Sequence, residues 1–276
     1  MLMASPRIPA AAMPAFVRAE GGVRLVFGAT PRGTAPLTIA ESGGYRVRFP
    51  RTGEGVLINT GGGMTGGDRM RIDVSVGPGA SAILTTQAAE KIYRSDGPDT
   101  GIAAALVLEP GSRLAWLPQE QILFDGARLA RTLDVAVAPD AALTLLESVV
   151  FGRLARGEAV EEGVFRDRWR VRRSGRLALA EDVLLDGRIA ETLKRPAAAN
   201  GARALATFLH VGPDAEARLE PARAALENAC CECGVTAFDG MLLARFLAAD
   251  PQGLRADLAR FVEAFRGEPM PRSWQT

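Results

Sequence analysis

The chain is poor in the side chains that hold transition metals tightly. Among its 276 residues it has a single histidine, His210, and three cysteines, all within residues 230–233. These numbers exclude a histidine-rich metal store, a zinc site of two histidines and one glutamate, and a binuclear imidazole centre within this chain. They also exclude a fold held by several disulfides, and so few cysteines are typical of a protein in a reducing cytosol.

Long hydrophobic stretches are missing as well. The chain contains no run of 18 apolar residues, so we predict no membrane-spanning helix. Residues 1–15 include Pro6, Pro9 and Pro14 and lack the apolar centre of a signal peptide. We therefore expect a cytoplasmic protein that has no membrane partner.

Neither sign of charge predominates. Lysine and arginine number 33 against 32 acidic residues, for a formal net charge of +1, which argues against a nucleic-acid binder that relies on overall positive charge. The apolar fraction of 47% is enough for a substantial core. Because no change in composition marks an internal boundary, we predict one domain over residues 1–276. It has a strand-rich body over about 16–212 and a helix-containing C-terminal region over about 213–276.

A repeating pattern of strands and turns is the main structural signal. Residues 70–76 alternate apolar and polar side chains, as a half-buried strand does, and Gly77-Pro78-Gly79 ends that strand. Similar units turn at Pro110-Gly111, Pro139-Asp140 and Ser174-Gly175, and the first three turns lie roughly 30 residues apart. This spacing predicts stacked hairpins or coils, each burying its apolar face against the next. An ordinary β-sandwich or barrel is the alternative.

Two helices are predicted in the C-terminal third. The first covers residues 219–228, with Pro221 tolerated in its first turn. The second begins after Asp250, whose carboxylate can cap it, and ends at Gly267. Its apolar stripe at helical spacing consists of Leu254, Leu258, Phe261, Val262 and Phe265. Residues 241–249 fit either a strand or a helix.

Two segments suggest known binding motifs but lack a required feature. Residues 59–68 contain five glycines, which permit close backbone approach, but the phosphate-binding P-loop requires a lysine followed by serine or threonine. Asp68 stands there instead and would repel a phosphate, so we interpret the segment as a bend that presents Asp68. The cysteines of residues 230–233 lack the usual spacing of thiolate metal sites, and a lone His210 is more typical of a packed or surface histidine than of a metal ligand.

Acidic residues offer the other route to cation chemistry. Four of them follow successive strand–turn–strand units: Glu90, Glu120, Glu147 and Glu181. Carboxylates bind divalent cations weakly when the cation keeps some of its waters. Two of these acids could instead pair for acid–base hydrolysis, or each could be a solvated or ion-paired surface acid.

Several segments together resemble the UreD/UreH family of urease accessory proteins. The matching segments are residues 59–68, 85–95 (TTQAAEKIYRS), 116–120 (WLPQE), 124–127 (FDGA), 151–153 (FGR) and 271–274 (PRSW). They follow in the family's order over nearly the whole chain. The set is specific for the family, whereas the glycine-rich segment alone is not.

The resemblance implies a non-enzymatic role in the maturation of urease. Members of the family bind apo-urease together with a UreF-type accessory protein, and that complex recruits a UreG-type GTPase that carries nickel. The UreD-type protein provides a tunnel through which nickel reaches the urease active site. The implied fold is mainly β, a β-helix-like stack of strands with a small number of C-terminal α-helices. The resemblance implies transient Ni²⁺ passage with no tightly bound cofactor.

Three acids match family positions associated with nickel passage. They are Asp68 at the end of the glycine-rich segment, Glu147 before the FGR segment, and Glu181 in the strand after Ser174-Gly175. Glu147 replaces what is often an aspartate in the family, and the cysteine cluster is not part of the family pattern. The resemblance therefore implies that these acids line a hydrated nickel route. The alternatives are an interaction scaffold without direct nickel passage and a carboxylate-dependent hydrolase on a β-solenoid.

Overall fold

Two β-sheets face each other and enclose the main apolar core. The computed structural model describes residues 18–275. Residues 1–15, in which we predict no signal peptide, lie outside this range. The strands are β1 (Glu20–Thr30), β2 (Gly33–Ser42), β3 (Tyr45–Arg51), β4 (Glu54–Asn59), β5 (Arg69–Val76), β6 (Ser81–Thr86), β7 (Glu90–Ile92), β8 (Thr100–Leu108), β9 (Arg113–Leu117), β10 (Gln121–Leu123), β11 (Arg128–Val137), β12 (Ala142–Phe151), β13 (Gly163–Arg173), β14 (Arg176–Gly187), β15 (Ala204–Val211), β16 (Glu232–Phe238) and β17 (Met241–Ala248). The described residues form three α-helices, α1 (Ile189–Lys194), α2 (Leu219–Leu226) and α3 (Pro251–Arg266).

The chain winds between the two sheets as a β-solenoid of about four turns. The seven-stranded sheet has the order β14-β13-β11-β8-β5-β1-β2, and β5, β8, β11 and β13 pair in parallel within it. In the ten-stranded sheet, β4, β6, β9 and β12 also pair in parallel. This topology confirms the mainly β, β-helix-like stack and rules out a sandwich or barrel built only from hairpins.

Stacked apolar ladders hold successive turns together. One ladder of register partners, each at most 2% exposed, consists of Leu25, Val74, Leu106, Val135 and Val171. Each such side chain stabilises the fold by about 1.5–3 kcal/mol through removal of apolar surface from water. The alternation in residues 70–76 arises because every second side chain of β5 joins such a ladder.

The predicted turns prove to be of two kinds. The turns at residues 77–79, 110–111 and 139–140 are corners at which the chain passes from the first sheet to the second. The turn at Ser174-Gly175 instead closes an antiparallel hairpin between β13 and β14 within one sheet. The expectation of one repeated unit therefore holds for three turns and differs at the fourth.

The C-terminal region covers the outer face of the ten-stranded sheet. The carboxylate of Asp250 accepts hydrogen bonds from the backbone N–H groups of the first turn of α3, at 2.9 and 3.1 Å, as predicted for a cap. All five residues of the apolar stripe are buried, and the rings of Phe261 and Phe265 lie 5.0 and 4.9 Å from that of Phe208 on β15. Of the ambiguous residues 241–249, residues 241–248 form β17, because this segment pairs with β15 and β16.

Each of the two predicted regions also contains short elements of the other type. Helix α1 lies inside the predicted strand-rich body, and β16 and β17 lie inside the predicted helix-containing region. The single domain over residues 1–276 stays a prediction. Over residues 18–275, no helix has the length and apolar character needed to span a bilayer.

Candidate functional site

The space between the sheets is incompletely filled and contains a cavity of about 340 Å³. Its walls are mostly apolar, with a few polar groups among them, which is the usual composition of a small-ligand site. Three of the motif segments contribute to its lining, within residues 59–63, 87–91 and 116–119. Segments far apart in the sequence therefore converge on one cavity.

A buried cluster of three charged side chains lies at the cavity, and two of them, Arg131 and Glu147, belong to its wall. Arg131 on β11, Glu147 on β12 and Asp167 on β13 are each 5–6% exposed. The guanidinium of Arg131 donates hydrogen bonds to both carboxylates, through Nη1 to Glu147 and through Nε to Asp167 at 2.9 Å. The indole of Trp116 donates to Glu147 at 2.7 Å, and that of Trp169 donates to Asp167 at 3.0 Å.

The cluster holds more negative than positive charge when all its groups are ionised. Burial would lower the pKa of Arg131, but Asp167 and Glu147 raise it above the ordinary value, so the guanidinium stays charged. Burial raises the pKa of Glu147, although Arg131 and the indole of Trp116 act in the opposite direction. The cluster therefore carries either one net negative charge or one extra proton.

A second carboxylate, Glu90, lines the same cavity. Its Oε1 accepts a hydrogen bond from Asn59 Nδ2 at 2.9 Å. Burial raises the pKa of Glu90 to about 7, despite that hydrogen bond. The pKa of the neighbouring Tyr45 hydroxyl is raised by burial and by the charges of Glu90 and Asp68. The cavity can therefore exchange a proton near neutral pH.

Asp68 is buried at the end of the glycine-rich segment, where it accepts backbone hydrogen bonds. Its Oδ1 accepts from the N–H of Ala19 and its Oδ2 from the N–H of Thr65, both at 2.8 Å. A Cβ on Gly66 would lie 1.9 Å from the hydroxyl oxygen of Ser95, so this bend requires glycine there. The segment is thus a bend that holds Asp68, as predicted, but the cavity lining does not include Asp68 among the described residues.

Glu181 lies on β14, at the opposite edge of the solenoid from the glycine-rich segment. It is the register partner of Trp169, and its Oε2 accepts a hydrogen bond from Arg245 of β17 at 2.6 Å. This ion pair joins the two sheets. Of the three acids matched to nickel passage, the structure places Glu147 in the cavity wall; neither Asp68 nor Glu181 belongs to the lining within the described part of the chain.

The soft donors lie elsewhere. Burial raises the pKa of the Cys231 thiol to about 12 and also raises that of Cys233, so both thiols stay protonated at neutral pH. Asp257 accepts hydrogen bonds from the backbone N–H groups of Cys230 and Cys231 at 2.8 and 2.9 Å. Within residues 18–275, no group of three or more His, Cys, Asp or Glu side chains is arranged to hold a metal ion.

His210 is a packed histidine, so the structure decides between the packed and surface positions that the sequence left open. It is 4% exposed, and its Nε2 lies 2.9 Å from a carboxylate oxygen of Asp214. Burial lowers its pKa, although the carboxylate acts in the opposite direction. The neutral imidazole is therefore favoured near pH 7, with one nitrogen occupied by Asp214.

The motif segments also contact one another directly. Arg94 of the second segment donates to Asp125 of the fourth at 3.0 Å. The indole of Trp274 in the C-terminal segment donates to the carbonyl of Leu117 at 3.0 Å, and Gln119 Nε2 donates to the carbonyl of Ser273 at 2.9 Å. Much of the motif set therefore fixes the frame around the cavity.

Sequence reasoning did not identify Arg131 and Asp167 as members of the site. A signal was present, since Arg131 takes the apolar phase of its strand between Leu129 and Leu133, and Asp167 does so between Phe165 and Trp169. A charge in the inward phase of a period-two strand indicates a buried ion. The register that makes these two residues partners appears only in the fold.

The family model described as UreD urease accessory protein matches residues 19–275. The chain is 52% identical to a urease accessory protein UreD of Methylobacterium sp. (strain 4-46), over 97% of this chain and 99% of that protein. It is 48% identical to a urease accessory protein UreD of Azorhizobium caulinodans, over 96% of this chain and 99% of that protein. Matches of this extent show that the chain belongs to the UreD family of urease accessory proteins.

Proposed function

We propose that this UreD-family protein is a non-catalytic, cytoplasmic maturation factor that helps to deliver Ni²⁺ to the active site of urease. The observation that carries the proposal is the cavity between the sheets, where the buried carboxylate of Glu147 and three family motif segments meet. Nickel is the cargo here, and the protein holds it only during transfer. Asp68 and Glu181 are proposed to act elsewhere on the same route.

The electrostatics of the cavity support passage rather than storage. A carboxylate lowers the cost of bringing a divalent cation out of bulk water. Oxygen ligands hold Ni²⁺ less strongly than imidazole or thiolate ligands do, which suits a protein that must release the ion. The walls offer carboxylates and amides, while the thiols of Cys231 and Cys233 lie away from the lining and stay protonated.

The proposed partners are apo-urease, a UreF-type accessory protein and a UreG-type GTPase recruited through the UreF-type protein. In this scheme GTP hydrolysis belongs to the GTPase. No nucleic acid and no membrane take part.

Reconstitution with apo-urease, the UreF-type protein and the GTP-loaded UreG-type GTPase tests this function. We expect nickel incorporation to depend on this chain and to fall at least about tenfold in Glu147→Gln, in which the complex still assembles. Glu120→Gln is the matched control, because Glu120 pairs with Arg255 at 2.9 Å and does not line the cavity within the described residues. Its nickel incorporation should stay normal.

The same assay separates the proposal from its main alternative, an interaction scaffold without direct nickel passage. A scaffold that only holds urease open tolerates neutralisation of the acids. Normal nickel incorporation and normal assembly in Glu147→Gln, and in the triple alanine variant of Asp68, Glu147 and Glu181, would refute the conduit and favour the scaffold.

A further inference from the structure

Gln121 presents a side-chain oxygen that has no hydrogen-bond partner. The residue lies on β10, is 8% exposed and lines the cavity. Its Oε1 is buried and makes no hydrogen bond. An unpaired buried oxygen destabilises the folded protein, and the binding of a cation would offset that cost.

We propose that Gln121, together with Glu90 and Glu147, forms a binding subsite for a hydrated divalent cation. The amide of Gln121 would turn its oxygen to the ion, and the two carboxylates would bind the ion through its waters. This inference rests on the proposed conduit, since it names the place in the cavity where the cation pauses.

The sheet register places these three side chains on one face. Glu90 and Gln121 are partners on β7 and β10, and Gln121 and Val149 are partners on β10 and β12. Glu147 precedes Val149 by two residues and therefore points to the same face. Neighbouring strands lie about 4.8 Å apart and two residues span about 6.6 Å, so the carboxylates flank the amide at a separation that an ion with retained waters can bridge.

The positively charged side chains of the cavity lining do not neutralise the carboxylates of this subsite. Arg131 is already shared by the carboxylates of Glu147 and Asp167. Arg46 donates to backbone carbonyls at 2.7 and 2.9 Å. The side chain of Lys91 is exposed on the outward phase of β7, and its charge acts on Glu90 less strongly than burial does, so the pKa of Glu90 stays raised. The inner part of the cavity is therefore negative whenever Glu90 is ionised.

Calorimetric titration of the purified full chain with Ni²⁺ alone tests the subsite. We expect Gln121→Leu to weaken nickel binding by about tenfold, the usual scale for loss of one supporting group, and Gln121→Glu to bind at least as tightly as wild type because it keeps an oxygen and adds charge. Gln252→Leu is the control, since Gln252 is exposed in the first turn of α3. Its nickel affinity should equal that of wild type.

Two results would overturn the subsite. One is equal nickel affinity in wild type and in folded Gln121→Leu, which is expected if Oε1 only accepts from an ordinary water. The other is a Gln121→Glu variant that binds nickel more weakly than wild type, a comparison that does not require Gln121→Leu to fold.

The conduit has its own readout in the Glu147→Gln reconstitution. If the Gln121 variants refute the subsite but urease activation still depends on Glu147, the conduit is not refuted. Nickel binding that depends on Gln121, with activation independent of Glu147, refutes the conduit and leaves a cation site in the cavity.

Discussion

Replacement of Arg131 by methionine tests whether the buried cluster is ionic. The guanidinium lies between the carboxylates of Glu147 and Asp167, which are each 6% exposed, and it donates hydrogen bonds to both. The other side-chain donors to these carboxylates are the indoles of Trp116 and Trp169. Methionine fills a similar length without charge. Glu147 and Asp167 would then keep one indole hydrogen bond each and lose their shared cation.

The expected cost follows from the state of the two carboxylates. Removal of one partner from a buried ion pair destabilises a protein by about 3–5 kcal/mol, because a charge is left uncompensated. The carboxyl groups can avoid that cost by taking up protons, which becomes easier by about 1.4 kcal/mol for each pH unit that the solution is lowered. We therefore expect Arg131→Met to lower the free energy of unfolding by about 4 kcal/mol at pH 7. At pH 5 this loss should be smaller by about 2.5 kcal/mol.

Urea denaturation at pH 5, 6, 7 and 8 measures this difference in the free energy of unfolding. Arg128→Met on the same strand is the control, because the pair of Arg128 and Asp99 is 37% exposed on both sides and should contribute at most about 1 kcal/mol. A triple variant that also carries Glu147→Gln and Asp167→Asn should recover most of the loss. A cost below about 1 kcal/mol at pH 7 that does not change with pH would refute a buried ionic cluster.

Two other predictions concern the pH response and the helix that covers the sheet. Because the pKa of Glu90 is raised from 4.5 to about 7 in the folded state, its ionisation opposes folding, so stability falls as the pH rises from about 4.5 through 7. Glu90→Gln should remove this fall and be up to about 3 kcal/mol more stable than wild type at pH 8, but not at pH 4, in denaturant titrations. Phe261→Ala should cost about 3–5 kcal/mol by the same assay, because its ring is fully buried against Phe208, whereas Phe238→Ala, at a 37% exposed position, should cost much less. Equal pH profiles for Glu90→Gln and wild type, or equal costs for the two phenylalanine variants, would contradict these expectations.

Much of the fold could be predicted because local pattern and turn chemistry agree with it. The period of two in β5 and the Asp250 cap of α3 are local features, and both are confirmed. The turn at Ser174-Gly175 was less predictable, since its residues suit a corner and a hairpin equally. Long-range pairing decides between them: β14 adds to β13 in the same sheet instead of crossing over.

The site was less accessible from the sequence than the fold. Glu147 was found through its place beside a motif, but its partners come from other strands, and only the parallel register brings Arg131 opposite Asp167. Gln121 gave no signal at all, because a glutamine next to Glu120 is typical of a surface position. The sequence does not show which side chains of β10 point into the core. In the structure Gln121 points inward, whereas Glu120 pairs with Arg255 outside the cavity.

The separation of hard and soft donors gives the scarcity of histidine and cysteine a physical meaning. The one imidazole is occupied by Asp214, and Cys231 holds its proton far above neutral pH, so neither competes strongly for a passing divalent ion. The cavity instead offers carboxylate and amide oxygens, whose complexes with such ions are weaker than those of imidazole or thiolate. A strong ligand in the wall would trap the cargo, because release slows as affinity rises. Introduction of one histidine at Gln121 should therefore tighten nickel binding and at the same time slow its delivery to urease.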